Sequence, residues 1–396
     1  MKNVTKQSTQ KENLDVTHHN TIFSQVLSQI PRHDFERLEA KHSTGRKPRT
    51  FSRWNQFACL AFIHLAARPS MRDGIRNLDA NVSQLYHLGM KPVARSTFSD
   101  ANNKRSAEFF ADLFGVLYKR CEAVSPTHKF RFKNKLFSLD ASTICLCLSA
   151  YPWASFRKNR GGIKLHAVID HDGYIPAFVS VTNARRHEAQ VAKTLKLPKG
   201  SIVVFDKGYI SYPWFAQLIN SEILFVTRLK KNASYKVLKR KPVNKKLGIT
   251  SDQEIEIPRR GGALKLRRVG YRDPETGKHY VFLTNHFDLS AKTIADIYKE
   301  RWQIEIFFRL IKQTLKLKSF IGVTENAVLS QVYTAMIVHL LLAYLKFKSK
   351  IGWSLQEMIQ LLQLNIFKRT TLELLFKPPD KLSKIKADYP LLALVS

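Results

Sequence analysis

The stretch Tyr298 to Lys312, YKERWQIEIFFRLIK, decides how this chain is read. Apolar residues at Ile297, Ile304, Phe308, Ile311 and Leu315 recur at the three-and-four spacing of one buried helix face. At about 100° per residue, Tyr298, Arg301, Glu305 and Lys312 project within a ~60° arc beside that stripe, flanked by Arg309 and Lys316. One carboxylate is thereby set among cations and a phenol, on a rod packed against a core. Taken alone, the stretch is accounted for by an i,i+4 Arg301–Glu305 pair on a solvated face, a contribution of a few tenths of a kcal/mol. Two acids upstream give it a further meaning.

Asp140 closes the β-like run of KNKLFSLDAST, and Asp206 closes the short apolar strand SIVVF. Both stand at or just past the C-terminal end of a strand, the edge at which sites lie in open α/β sheets. With the two strands as neighbours, the carboxylates share a pocket and Glu305 completes a cluster of three. Three converging carboxylates repel one another, and a hard divalent ion with oxygen ligands, Mg2+ or Mn2+, relieves that repulsion. Two such ions ~3.5–4 Å apart activate an attacking oxygen and stabilise a leaving one. Asp140, Asp206 and Glu305 are therefore the catalytic and metal-ligating candidates. Tyr298, Arg301 and Lys312 are the DNA-binding candidates, with the two cations holding backbone phosphate rather than neutralising the glutamate.

Composition supports an anionic partner. The 396 residues carry 65 Lys and Arg against 31 Asp and Glu, a net charge of +34 spread along the chain, and this implies nucleic acid. An anionic membrane surface is disfavoured, because no Lys/Arg-faced amphipathic helix dominates. The longest apolar run, Ala335 to Leu345, contains His339 and is too short to span a bilayer, so it predicts a buried helix. The N-terminus MKNVTKQSTQ has no signal-peptide core. Four cysteines, Cys59, Cys121, Cys145 and Cys147, are too few for a disulfide framework; the last two share one side of a strand as small packing residues, with no histidines spaced for zinc. A soluble, reducing compartment is expected.

In chain order, a polar arm to about residue 20 precedes a helical region (1–125), in which Arg46, Lys47, Arg49 and Arg53 form a basic connector. A helix capped by Ser96 or Thr97 is expected there, and helix–turn–helix packing would suit DNA. From 130 to 229 the pattern is three strands, helix, strand, helix, strand, an α/β layer over a mixed sheet with a turn at His171-Asp172-Gly173. Residues 230–289 alternate as half-buried strands (Glu254-Ile255-Glu256-Ile257, Leu264-Lys265-Leu266-Arg267) and predict a basic β-rich insertion facing DNA. Ser290 caps the helix bearing Glu305 (290–325), and further helices fill 326–396.

Tyr298-x2-Arg301-x3-Glu305-x6-Lys312 resembles the YREK pattern of IS4-type DDE transposases. Asp206-Lys207-Gly208-Tyr209 resembles the second-aspartate region of that family and LFSLDAST the first, while NTIFSQVLSQIPRHDFE and RWNQF look like the helical leader of one of its branches. The resemblance covers nearly the whole chain. It implies an α/β fold with an RNase H-like core, interrupted by the β insertion between Asp206 and Glu305. It implies double-stranded DNA as partner, both the terminal inverted repeats of an insertion sequence and the target, a homodimer in the synaptic complex, and no membrane. It implies hydrolysis at the element's ends that frees a 3′-OH and strand transfer, with a flanking hairpin or another strand-processing route between them. Tyr271, Tyr280 and Trp302 are equal candidates for stacking on a flipped base.

Other residues read more plainly. Glu188 is a helix-start acid with a favourable dipole, and it is left outside the candidate site. Asp170 and Asp172 belong to a turn. Lys164 and His166 alternate on one strand face, where phosphate contact and a solvated face weigh equally; Lys207 is a further DNA contact. The readings from other classes are a catalytically inactive DNA-binding protein and an RNase H-like nuclease or resolvase; the intact acid triad argues against the first and the long basic insertion against the second.

Overall fold

The computed structural model describes residues 20–377, apart from 44, 46–49, 158–159, 186–187, 260–261 and 318. The expected N-terminal arm, Arg46, Lys47 and Arg49 of the basic connector, and 378–396 lie outside the described residues.

Six helices open the chain: α1 Ile22–Leu27, α2 Arg32–Lys41, α3 Arg53–Leu65, α4 Met71–Ala80, α5 Arg95–Lys104 and α6 Glu108–Glu122. Thr21, Ser52 and Ser70 start three of them, each side chain accepting the amide three residues on. Helix α5 begins behind Ala94 without a side-chain cap, so neither Ser96 nor Thr97 caps it. Arg53 is not a surface cation either. It is buried at the start of α3, its guanidinium 4.9 Å from the Phe109 ring centroid.

The catalytic-type sheet follows. Its strands are β1 Leu136–Leu146, β2 Ser155–Arg157, β3 Arg160–Asp170, β4 Ile175–Asn183, then, after α7 Glu188–Ala192, β5 Ile202–Phe205 and, after α8 Tyr212–Asn220, β6 Leu224–Arg228. Strand β3 lies antiparallel between β1 and β4, whereas β5 runs parallel to both β1 and β6. This is the mixed sheet that the RNase H-like expectation requires. Leu136, Leu139, Val203, Phe205 and Phe225 are fully or almost fully buried, which explains why these runs are apolar throughout instead of alternating. Cys145 and Cys147 are exposed and do not pack.

The insertion supplies β7 Lys236–Arg240, β8 Ile249–Arg259, β9 Gly262–Arg272 and β10 His279–Thr284. These strands continue the core sheet in the order β2-β3-β1-β5-β6-β10-β9-β8-β7. The inward residues Ile255, Ile257, Leu264 and Leu266 share one apolar cluster with Phe205, Phe215 and Phe225 of the core. Next to Leu266 on β9, Arg267 forks onto Asp252 at 2.9 and 2.7 Å and also donates to the carbonyls of His286, Phe287 and Leu289. That clamp fixes the return of the chain to the site.

Helix α9, Ala291–Glu300, starts at the Ser290 cap as expected, but it stops at Arg301, and α10, Trp302–Gln313, begins there. The Tyr298–Lys312 stretch is thus two helices with a joint, not one rod. At the joint the amide of Arg301 bonds Tyr298 O and the amide of Ile304 bonds Arg301 O, three-residue steps that tighten the turn. Helix α11, Glu325–Lys348, then α12, Leu355–Asn365, and α13, Leu372–Phe376, are the last elements among the described residues. Among the described residues α11 alone is long and apolar enough to cross a membrane, and 89% of its most apolar window is buried in the protein.

Candidate active site

The parallel register of β1 and β5 ends at Leu139 opposite Phe205. The next residue on each strand is an aspartate, so Asp140 and Asp206 leave the shared ladder side by side. Asp140 does not end its strand, however: β1 runs on to Leu146 because residues 141–146 keep their antiparallel partners on β3.

Cations hold these carboxylates. Arg301 donates through Nη1 to Asp140 at 2.8 Å and through Nη2 to Glu305 at 2.5 Å. Arg228, at the end of β6, donates to Asp206 at 2.7 Å, and the Tyr298 hydroxyl donates to the same oxygen at 3.3 Å. In this arrangement, without DNA, Arg301 bridges Asp140 and Glu305. Among the described residues no three His, Cys, Asp or Glu side chains stand close enough to share one ion. Lys312 reaches along β1 to the Thr143 carbonyl at 2.8 Å.

Electrostatics divides the aspartates. Burial raises the Asp140 carboxyl to about 6, against the Ala141 amide and Arg301, with Glu188 and Asp206 adding repulsion. Burial also acts on Asp206, but the Arg228 hydrogen bond, the Lys207 amide and the charges of Arg228 and Arg301 hold it below the ordinary carboxylate range. Tyr298 is pushed up to about 12 by burial and by the neighbouring Asp206. The oxygens of Asp140, Asp206 and Glu305 are hard donors, the type that Mg2+ and Mn2+ take.

Beside the carboxylates runs a groove of about 1170 Å³ whose wall includes Glu188, Asp206, Lys207, Lys230, Lys231 and Arg268. A smaller cavity of about 350 Å³ brings Tyr271, Tyr280 and Trp302 together next to Tyr298, Arg228 and Arg301. The three stacking candidates thus share one place. Of the remaining sequence candidates, Asp170 and Asp172 both pair with Lys135, and buried His166 bonds Thr182. Lys164 pairs with Glu188 at 3.1 Å.

Sequence reasoning passed over Arg228 and Glu188. The signal for Arg228 is its position at the C-terminal end of a strand parallel to the one ending in Asp206. Glu188, which the sequence reading set aside as a helix-start acid, is brought to Lys164 of β3 by the packing of α7 on the sheet.

The chain matches the family model described as the transposase DDE domain over residues 131–341, and residues 18–91 match a domain of unknown function, DUF4372. It is 30% identical over 298 residues to y4zB of Sinorhizobium fredii, named as a transposase, covering 74% of this chain and 81% of that one. It is 29% identical over 277 residues to a Geobacillus stearothermophilus protein named as the transposase of insertion sequence element IS5377, covering 68% of this chain and 72% of that one. The solved piggyBac transposase synaptic complex with hairpin DNA superposes on 87% of this chain and 77% of that one, with TM-score 0.43 and 11% identity. A transposase DDE domain acts on DNA and depends on divalent metal. With more than half of its length inside that domain and a relative matched over most of both chains, this protein belongs to the DDE transposase family, as the DNA-cleaving and strand-transferring enzyme of an insertion sequence.

Proposed function

We propose that Asp140, Asp206 and Glu305 are the catalytic carboxylates of this transposase and the ligands of two Mg2+ or Mn2+ ions. The observation that carries this reading is the shared hydrogen-bond network, in which Arg301 joins Asp140 to Glu305 while Arg228 and Tyr298 hold the neighbouring Asp206. When bound, such ions supply Lewis acidity to the attacking and leaving oxygens of a phosphodiester.

The chain's own groups do the rest. Arg301 balances two carboxylates until DNA arrives and then turns to a backbone phosphate, freeing both acids for metal. Tyr298 and Arg228 keep Asp206 ionised and oriented, and Lys312 holds the DNA backbone along β1. The basic groove takes the duplex flanking the cut. The substrates are the terminal inverted repeats of the element and a target duplex, the helices of 1–125 bind DNA, and two protomers pair in the synaptic complex. Cleavage frees a 3′-OH, a hairpin closes the flanking end, and strand transfer follows, in the bacterial cytoplasm at the nucleoid.

The test is end cleavage by Asp140→Asn, Asp206→Asn and Glu305→Gln on DNA carrying the element's inverted repeats. Each variant is expected to bind the repeats like the parent and to cut them below detection. A Glu305→Gln enzyme that cuts at the parent rate ends the assignment.

A further inference from the structure

Glu300, the last residue of α9, stands immediately before the joint at Arg301 and is buried there. Its place favours no carboxylate: the C-terminal end of a helix is the negative end of its dipole, and burial disfavours the charge. The charge is held from outside the helix. The Tyr174 hydroxyl donates to Oε2 at 2.9 Å, and Lys129 Nζ donates to Oε1 at 2.6 Å. The Lys129 side chain is 62% exposed, so solvent screens its ion pair and the phenol is the firmer hold. At about 100° per residue, Glu300 projects ~160° away from Tyr298. The end of α9 is thus pinned on two faces, by Tyr298 to Asp206 at 3.3 Å and by Glu300 to Tyr174.

The turn that carries Tyr174 is itself fixed to β1. Tyr174 holds φ at +55°, in the left-handed region that a large aromatic residue seldom adopts, and such a conformation persists only where its surroundings enforce it. The His171 amide donates to the Leu136 carbonyl at 2.9 Å, and its ring Nε2 lies 2.7 Å from Ser138 Oγ. The His171 and Tyr174 rings meet at 5.4 Å. Ser138 is two positions before Asp140, on the same face of β1. Both ends of the Arg301–Asp140 bond are therefore tied to one turn, α9 through Glu300 and Tyr174, β1 through Ser138 and His171.

We propose that Glu300 is a positioning residue of this enzyme: held by the Tyr174 hydroxyl, it fixes the α9–α10 joint against β1 so that Arg301 meets Asp140 and Glu305. It acts through Arg301 and touches no reacting atom. The proposal rests on the reading of Asp140, Glu305 and Arg301 as parts of the catalytic site.

The experiment measures single-turnover end cleavage, affinity for end DNA and thermal melting on the full-length protein, with Arg301→Ala as the reference. Tyr174→Phe deletes one hydroxyl and is expected to lower the cleavage rate at saturating DNA by roughly tenfold, with DNA affinity within about twofold of the parent. Glu300→Ala is expected to do the same. Glu300→Gln keeps an acceptor for the phenol and is expected to recover most of the lost rate. The double variant Tyr174→Phe/Glu300→Met replaces both polar partners by apolar groups of similar shape, so it should melt like the parent and still cut slowly. If Tyr174→Phe and Glu300→Ala melt lower yet cut at the parent rate, or if the double variant regains the rate along with the fold, the pair is a structural strut and the proposal is overturned. A loss of DNA affinity in place of rate overturns it as well. If Arg301→Ala is impaired while Tyr174→Phe cuts normally, this proposal alone fails; if Arg301→Ala also cuts at the parent rate, the reading of the site fails with it.

Discussion

The Arg301 guanidinium bonds the Asp140 carboxylate at 2.8 Å across 161 positions of sequence. The same guanidinium bonds Glu305, so one side chain occupies the space that a shared cation needs. Arg301→Ala is expected to tighten Mn2+ binding by the protein alone and to weaken binding to end DNA. The slope of log affinity against log salt falls by roughly one unit if Arg301 neutralises one phosphate. Salt-dependent binding assays read the slope; an unchanged slope together with unchanged Mn2+ affinity contradicts the exchange of partners.

Arg228 holds Asp206 ionised from the end of β6. In Arg228→Gln the carboxyl loses its hydrogen bond and rises toward the ordinary range, so its own titration moves to higher pH. Lysine at 228 keeps the charge but not the planar fork and is expected to restore only part of the shift. Carboxyl 13C titration of Asp206 in the acid range, below about pH 5, measures this. Coincident profiles for Arg228→Gln and the parent contradict it.

His339 sits in the middle of α11, fully enclosed, its ring edge-on to Phe307 at 5.3 Å and neither nitrogen hydrogen-bonded among the described residues. Burial lowers its pKa to about 4, below the ~6.5 of an unfolded chain. Between those values the unfolded chain takes up a proton that the folded one refuses. The stability tied to His339 is therefore complete above pH 6.5 and is lost as pH falls toward 4, by about 1.4 kcal/mol per pH unit. His339→Leu is expected to remove that increment and to stabilise the protein at pH 7 by about 1 kcal/mol, since no buried polar group is left unpaired. Urea titrations at pH 7, 6 and 5 compare the two; equal pH slopes argue against the buried imidazole as the cause.

Arg267 and Asp252 form a forked pair that is almost wholly buried, its side chains 3% and 7% exposed. Arg267→Ala leaves a buried carboxylate alone and three carbonyls without their donor, a loss of about 3–5 kcal/mol. Replacing both partners by apolar residues of similar size should recover much of that loss. Guanidinium denaturation of the single and double variants provides the check, and additive losses in the double variant would contradict it.

Much of the site was legible because it rests on local pattern. An apolar run followed at once by an acid marks Asp140 and Asp206, and period-two alternation at 254–257 and 264–267 marks the strands that became β8 and β9. The helical spacing around Glu305 located the buried face, with Ile304 and Ile311 in the core. Residues such as Arg53 misled, because charge in the sequence predicts exposure while this guanidinium is stacked on buried phenylalanines.

By itself, then, the sequence determined which residue types stand at strand ends and on helix faces, together with the charge that calls for a polyanion. These depend on neighbours within a few positions, where spacing alone dictates direction. Only the tertiary structure decided that the helix is interrupted at Arg301, that the insertion continues the core sheet through β10 and β6, and that Arg228 and Glu188 border Asp206. Each of those depends on which strand edge pairs with which and on how side chains pack across it. Contacts between residues dozens to hundreds of positions apart leave no period in the chain from which to read them.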